Sequence, residues 1–232
     1  MSRVRTESPR FALPRFHKGA LGLFLLTVAL TAFISDMPVG ELLRIQPGAI
    51  FSGGGLWQPI TANFVFPGTD IGLLLGTLFA QWFFGSELEG FWGTRRYVTL
   101  VLGCGIAGYL VYALLQPVIP GLLPHGGSNA MDAAALTAFA VVFGKRQLNM
   151  FGALQMSART LAAIFLALMI VGPILRGTPW PVVIPWLVAS AGAFLVTAQP
   201  WRARGDGTTP KRPKSKGKAS HLRVVKGEDL LN

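Results

Sequence analysis

The sequence predicts an all-α membrane protein, a six-transmembrane-helix bundle with both termini in the cytoplasm, and three observations predict it. Charged residues make up only 13% of the chain against 51% hydrophobic, whereas a soluble domain carries about 25% charged residues. Six long runs are uncharged or nearly so. The 21 Lys and Arg residues fall between those runs in strict alternation, so that one side of the membrane holds all of them except Arg44 and Arg176.

The first run, Gly19–Ser35, follows Arg3, Arg5, Arg10, Arg15 and Lys18. A basic segment before an apolar core also opens a signal peptide. Here no small-x-small cleavage site precedes Asp36–Met37 and the run is long for such a core, so it is read as a span. The others are Ile71–Ser86, Tyr97–Gln116, Gly126–Gly144, Thr160–Leu175 and Gly177–Trp201. A bilayer core of ~30 Å needs about 17–25 helical residues, so the second and fifth must borrow adjacent polar residues. Positive charge gathers on the cytoplasmic side, which places both termini there and makes the +11 net charge chiefly a topology signal. The chain divides into a basic cytoplasmic segment (1–18), a membrane domain (19–201) and a basic tail (202–232). Its place is an integral, multi-pass one, in the inner or plasma membrane if the source is bacterial.

The tail reads as a disordered, solvated anchor that touches anionic lipid. No aromatic residue follows Trp201, so no stacking platform accompanies the charge and no nucleic-acid partner is expected. Cys104 is the single cysteine; it can form no intrachain disulfide, and no metal or cofactor is expected. In the third run Gly103, Gly105 and Gly108 spell G-x-G-x-x-G. That fingerprint needs a strand before it, and inside a 20-residue apolar run it reads as a packing face.

Between the first two runs, Leu56–Phe66 is too apolar for a solvated loop. Trp57, Phe64 and Phe66 suit the membrane interface, so the segment reads as partly embedded beside the bundle. Gly72 and Gly76 offer a G-x-x-x-G contact. Glu87, Glu89, Arg95 and Arg96 are expected to pair with one another in a compact turn. In the last run the small residues at 189–193 predict a tight contact with the glycine end of the fourth.

The fourth run carries the chemistry. Gly126, Gly127 and Ser128 open it, and Asp132 is its one acid. Ser128 and Asp132 are four apart, hence on one helix face a turn apart. A carboxylate within a span costs roughly 2.5–3.5 kcal/mol on insertion scales, so both side chains should face the interior, with Asn129 beside them. Asp132 is expected to bond Ser190 or a backbone group there. His125, three residues before Ser128, is an alternative partner for the serine.

With these pieces in order, the chain resembles the rhomboid family of intramembrane serine proteases. Three stretches carry the likeness: L-W-Q-P-I-T with Trp57 and Gln58; F-G-S-E-L-E-G-F-W-G-T-R-R-Y with Glu89, Trp92, Gly93 and Arg95; and G-G-S-N-A at Gly126–Ala130. The resemblance implies a Ser–His dyad and an oxyanion hole supplied partly by H-x-x-x-N. It places Ser128 at the nucleophile and Ser190 where the family has histidine. Leu73 and Thr77 stand at the H-x-x-x-N positions, and Gln58 replaces a loop arginine. A serine hydroxyl without a base is a weak nucleophile; base and oxyanion donor are worth about 10²–10⁴-fold and 10²–10³-fold. The expectation is therefore an inactive rhomboid-fold protein that binds transmembrane segments of clients. Two alternatives stand beside it: an active serine endopeptidase with His125 or Asp132 as base, and a small transporter using Asp132.

Overall fold

The computed structural model describes residues 15–68, 70–150 and 154–198; the tail read as 202–232 and most of the segment read as 1–18 lie outside them. Four helical stretches are long and apolar enough to cross a membrane: Ile71–Trp92, Thr94–Leu114, Ala158–Leu175 and Trp180–Ala198. The first and fourth runs form shorter apolar helices, Lys18–Ile34 and Asn129–Val142. At 1.5 Å per residue the latter rises only about 21 Å, less than a bilayer core.

In chain order the helices are α1 (Lys18–Ile34), α2 (Pro38–Leu43), α3 (Pro47–Phe51), α4 (Gln58–Thr61), α5 (Ile71–Phe79), α6 (Ser86–Trp92), α7 (Thr94–Leu114), α8 (Asn129–Val142), α9 (Ala158–Leu175) and α10 (Ile184–Ala198). A proline stands at the start of α2, α3 and α4, where its missing N–H costs nothing. Asp70 caps α5 through Gly72 N at 2.8 Å, and Ser157 caps α9 through Thr160 N at 3.1 Å. A π-helical turn, Ala80–Gly85, joins α5 to α6 without a break.

Helix α8 is the centre of the bundle. It is buried without interruption from Ala130 to Leu136, and a helix hidden on all sides reads as apolar all round. Its alanines let neighbours approach closely: α10 packs most extensively on it, and α9, α7 and the π turn surround the rest. Ala189 and Ala193 of α10 are fully buried, but they meet the alanine face of α8 and the wall of α7. The glycine end of the fourth run instead packs on the first loop. By contrast α9 buries only Ala158, Leu161 and Ala162.

Several sequence expectations change here. The G-x-x-x-G of α5 makes no close packing, since a Cβ at Gly76 would meet nothing within 4 Å. In α7 the packing face is real at Gly105 and Gly108 but not at Gly103. Phe66 is 1% exposed and sits against Gly127, so it is core rather than interface. Two short strands, β1 (Gln147–Met150) and β2 (Leu154–Ser157), pair antiparallel within a fold read as all-α. The charged turn also pairs otherwise than expected. Glu89 accepts from Gly19 N at 2.9 Å, Ala20 N at 2.7 Å and Thr94 Oγ1 at 2.6 Å. It caps α1, where the carboxylate meets the positive end of the helix dipole. Glu87 pairs with Arg146 at 3.0 Å, and Arg96 lies over the Trp92 ring at 5.1 Å. Gly93, with φ +81°, supplies the turn between α6 and α7. Glu89→Ala is expected to cost roughly 2 kcal/mol in detergent unfolding by uncapping α1, and Glu89→Gln less.

Candidate functional site

Two pairs of polar side chains, each four residues apart, face each other across α5 and α8. Thr77 and Gln81 come from α5 and the π turn; Ser128 and Asp132 come from α8. Thr77 Oγ1 lies 2.7 Å from Ser128 Oγ, and Gln81 Nε2 donates to Asp132 Oδ1 at 2.7 Å. The ladder closes along α8, where Ser128 Oγ donates to Asp132 Oδ2 at 2.9 Å. It extends to α7, where Tyr97 OH donates to Gln81 Oε1 at 2.5 Å. All five residues are buried, Ser128 and Gln81 at 0% exposure. π turns shift the register of the residues they carry; this one lies directly at Gln81.

The backbone that delivers Ser128 is held from several directions. His125 forms a bridge with Ile45, through N–H···O bonds of 2.8 and 3.0 Å. Gly127 N donates to Ala62 O at 2.7 Å, and Tyr109 OH donates to Gly127 O at 2.7 Å. Gly127 adopts φ +117°, and a Cβ there would stand 2.3 Å from the Phe66 ring. A Cβ at Gly126 would stand 2.3 Å from Val65 O. Both positions thus require glycine, because the loop backbone and Phe66 occupy the space a side chain needs.

The bridge also decides what His125 does. Its ring lies among Tyr109, Tyr112 and Trp186, with centroids 6.0, 6.3 and 6.1 Å away, and Nε2 has no hydrogen-bond partner. It makes no bond to Ser128, so the alternative base expected at this position is corrected: the backbone pairing with Ile45 commits the ring to the aromatic cage. Burial pushes the imidazole down to about 4. Between pH 6.5 and 4 the unfolded chain therefore takes up a proton that the folded chain refuses. Stability is complete above pH 6.5 and is lost as pH falls toward 4, by roughly 2 to 3 kcal/mol. The unfolding midpoint in detergent should show this fall, and His125→Phe should flatten that share of it.

Ser190 sits on α10 facing α8, but its hydroxyl reaches Ala133 O at 3.5 Å rather than Asp132. The expected Asp132–Ser190 bond is replaced by Gln81 and Ser128, because Asp132 points toward α5. Asn129 is half-buried and makes no side-chain hydrogen bond among the described residues. Trp57 Nε1 and Gln58 Nε2 both donate to Leu42 O, at 3.2 and 3.3 Å, and Gln58 Oε1 accepts from Gln46 N at 2.9 Å. These two hold the first loop together. Sequence reasoning missed Gln81 and Tyr97. The signal available was the Thr77–Gln81 spacing, which mirrors Ser128–Asp132.

Among the described residues no group of His, Cys, Asp and Glu is arranged to hold a metal. Chemically, the ladder leaves the Ser128 hydroxyl donating to a carboxylate oxygen with a second hydroxyl against its own oxygen. Neither of the two ion pairs among the described residues, Arg44–Glu41 and Arg146–Glu87, reaches Asp132.

A helical membrane protein whose central, shortened helix begins at a buried serine is the class this fold and site define. A family model for the Rhomboid domain matches residues 53–197, more than half of the chain, and the chain belongs to the rhomboid family. A comparison with curated proteins finds no match.

Proposed function

We propose that this chain is a rhomboid pseudoprotease, a six-span membrane protein with cytoplasmic termini that binds transmembrane segments of client proteins. In this reading α1 and α8 complete the count of spans begun by the four longer helices. One observation carries it: the hydroxyl of Ser128 is committed to Asp132 at 2.9 Å and Thr77 at 2.7 Å, and no imidazole among the described residues approaches it. A serine so bound, at 0% exposure, lacks the imidazole base that would raise its nucleophilicity and has no open path to a carbonyl. Client binding is supported by the outward apolar face of α9, where Ile164, Leu168 and Val171 are exposed, next to a polar interior. The experiment is fluorophosphonate labelling in native membranes. The expected result is no label at Ser128; labelling that disappears in Ser128→Ala overturns the proposal.

A second reading rests on the same 2.9 Å contact. If Asp132 takes the Ser128 proton as the oxygen attacks, the pair is a Ser–Asp protease oriented by Gln81. Cleavage of a transmembrane reporter that is abolished by Asp132→Asn would select this reading.

A further inference from the structure

Where α8 ends and α9 begins, a cavity of about 320 Å³ is lined by Val142, Phe143, Gly144, Lys145, Arg146 and Arg159. Its cations are not neutralised. Arg146 shares its charge with Glu87, whereas Lys145 and Arg159 have no acidic partner among the described residues. The cavity is also built rather than incidental. Gly144 is buried, and a Cβ there would stand 2.4 Å from Ala140 O and 3.1 Å from Arg159 Nε, so the Arg159 side chain lies directly across the end of α8. Below the cations, the half-buried side chains of Val142 and Phe143 form an apolar floor, and the Arg146 guanidinium sits 6.0 Å over the Phe143 ring.

Cations above and hydrocarbon below, at the ends of helices in a bilayer, match the headgroup and glycerol region of a lipid. We infer that this cavity binds the phosphodiester of an anionic glycerophospholipid of the same leaflet. Arg159 supplies a planar fork suited to two phosphate oxygens, and Lys145 supplies a point charge. Phosphatidylglycerol carries one net negative charge and fits; a zwitterionic lipid brings its own cation against Lys145 and Arg159. The site lies away from the serine and depends only on the chain being in a membrane.

The test uses the full chain, reconstituted with photoactivatable phosphatidylglycerol, and maps crosslinks by residue so that binding at the basic tail is counted separately. Crosslinks to residues 141–146 and 159 are expected to exceed those of the matching phosphatidylcholine probe. They should fall roughly thirtyfold in Lys145→Gln/Arg159→Gln, at about fivefold per cation near a membrane surface. The charge-conserving Lys145→Arg, which leaves the Arg159 fork in place, should retain them, and inorganic phosphate at about 10 mM, which carries no acyl chain for the apolar floor, should not displace them. Equal labelling by both lipids, unchanged labelling in the neutral variant, loss in the charge-conserving one, or displacement by free phosphate would each overturn the inference.

Discussion

Asp132→Leu is expected to destabilise the protein by roughly 4 kcal/mol, because removing one member of a buried polar network strands the others. Gln81 Nε2 would lose its acceptor at 2.7 Å and Ser128 Oγ its acceptor at 2.9 Å, both at sites with no water-facing surface. Asp132→Asn is expected to behave quite differently. Its carbonyl still accepts from Gln81, its amide donates to Ser128 Oγ, and the Ser128 proton turns to Thr77 Oγ1 at 2.7 Å. Every donor keeps an acceptor, so the cost should stay within about 1 kcal/mol. Unfolding of both variants in one detergent checks the pair. A large loss in Asp132→Asn would mean that the charge itself, not the connectivity, holds the ladder.

Gly108→Leu should be comparably damaging, at roughly 4 kcal/mol, for a steric reason. A Cβ on Gly108 would stand 2.4 Å from Pro185 O and 3.2 Å from Pro185 Cα. These are main-chain atoms of α10 and cannot rotate away. Overpacking a core typically costs 1–3 kcal/mol when side chains can yield; here two helices must separate. Their separation would also open the wall behind Trp186, which is 2% exposed. Gly103→Leu, on the same helix with nothing within 4 Å, is the control and should be nearly neutral. Thermal unfolding of the two variants side by side tests whether α7 meets α10 through Gly108.

That contrast shows what a sequence can and cannot disclose. Three glycines in α7 look equivalent as letters, yet only two meet a neighbour, because the side of a helix that faces protein depends on partners far along the chain. The Ser128–Asp132 pairing was readable, since a spacing of four on one helix is a local property. Its partners were only half readable. Thr77 stood out through the resemblance, but Gln81 faces Asp132 from within a π turn, and nothing in A-Q-W-F-F-G announces that turn. Glu89 was expected among neighbouring arginines because charges near in sequence attract attention. The free N–H groups at the start of α1, some 70 positions away in the chain, competed for it and won.

The bridge between Ile45 and His125 has one more implication. It staples the first loop to the very residues that present Ser128, so cap and floor of the interior move as a single piece. A partner helix that pried the cap upward would drag the serine out of register with Thr77 and Asp132, and its binding would thereby be felt at the hydroxyl.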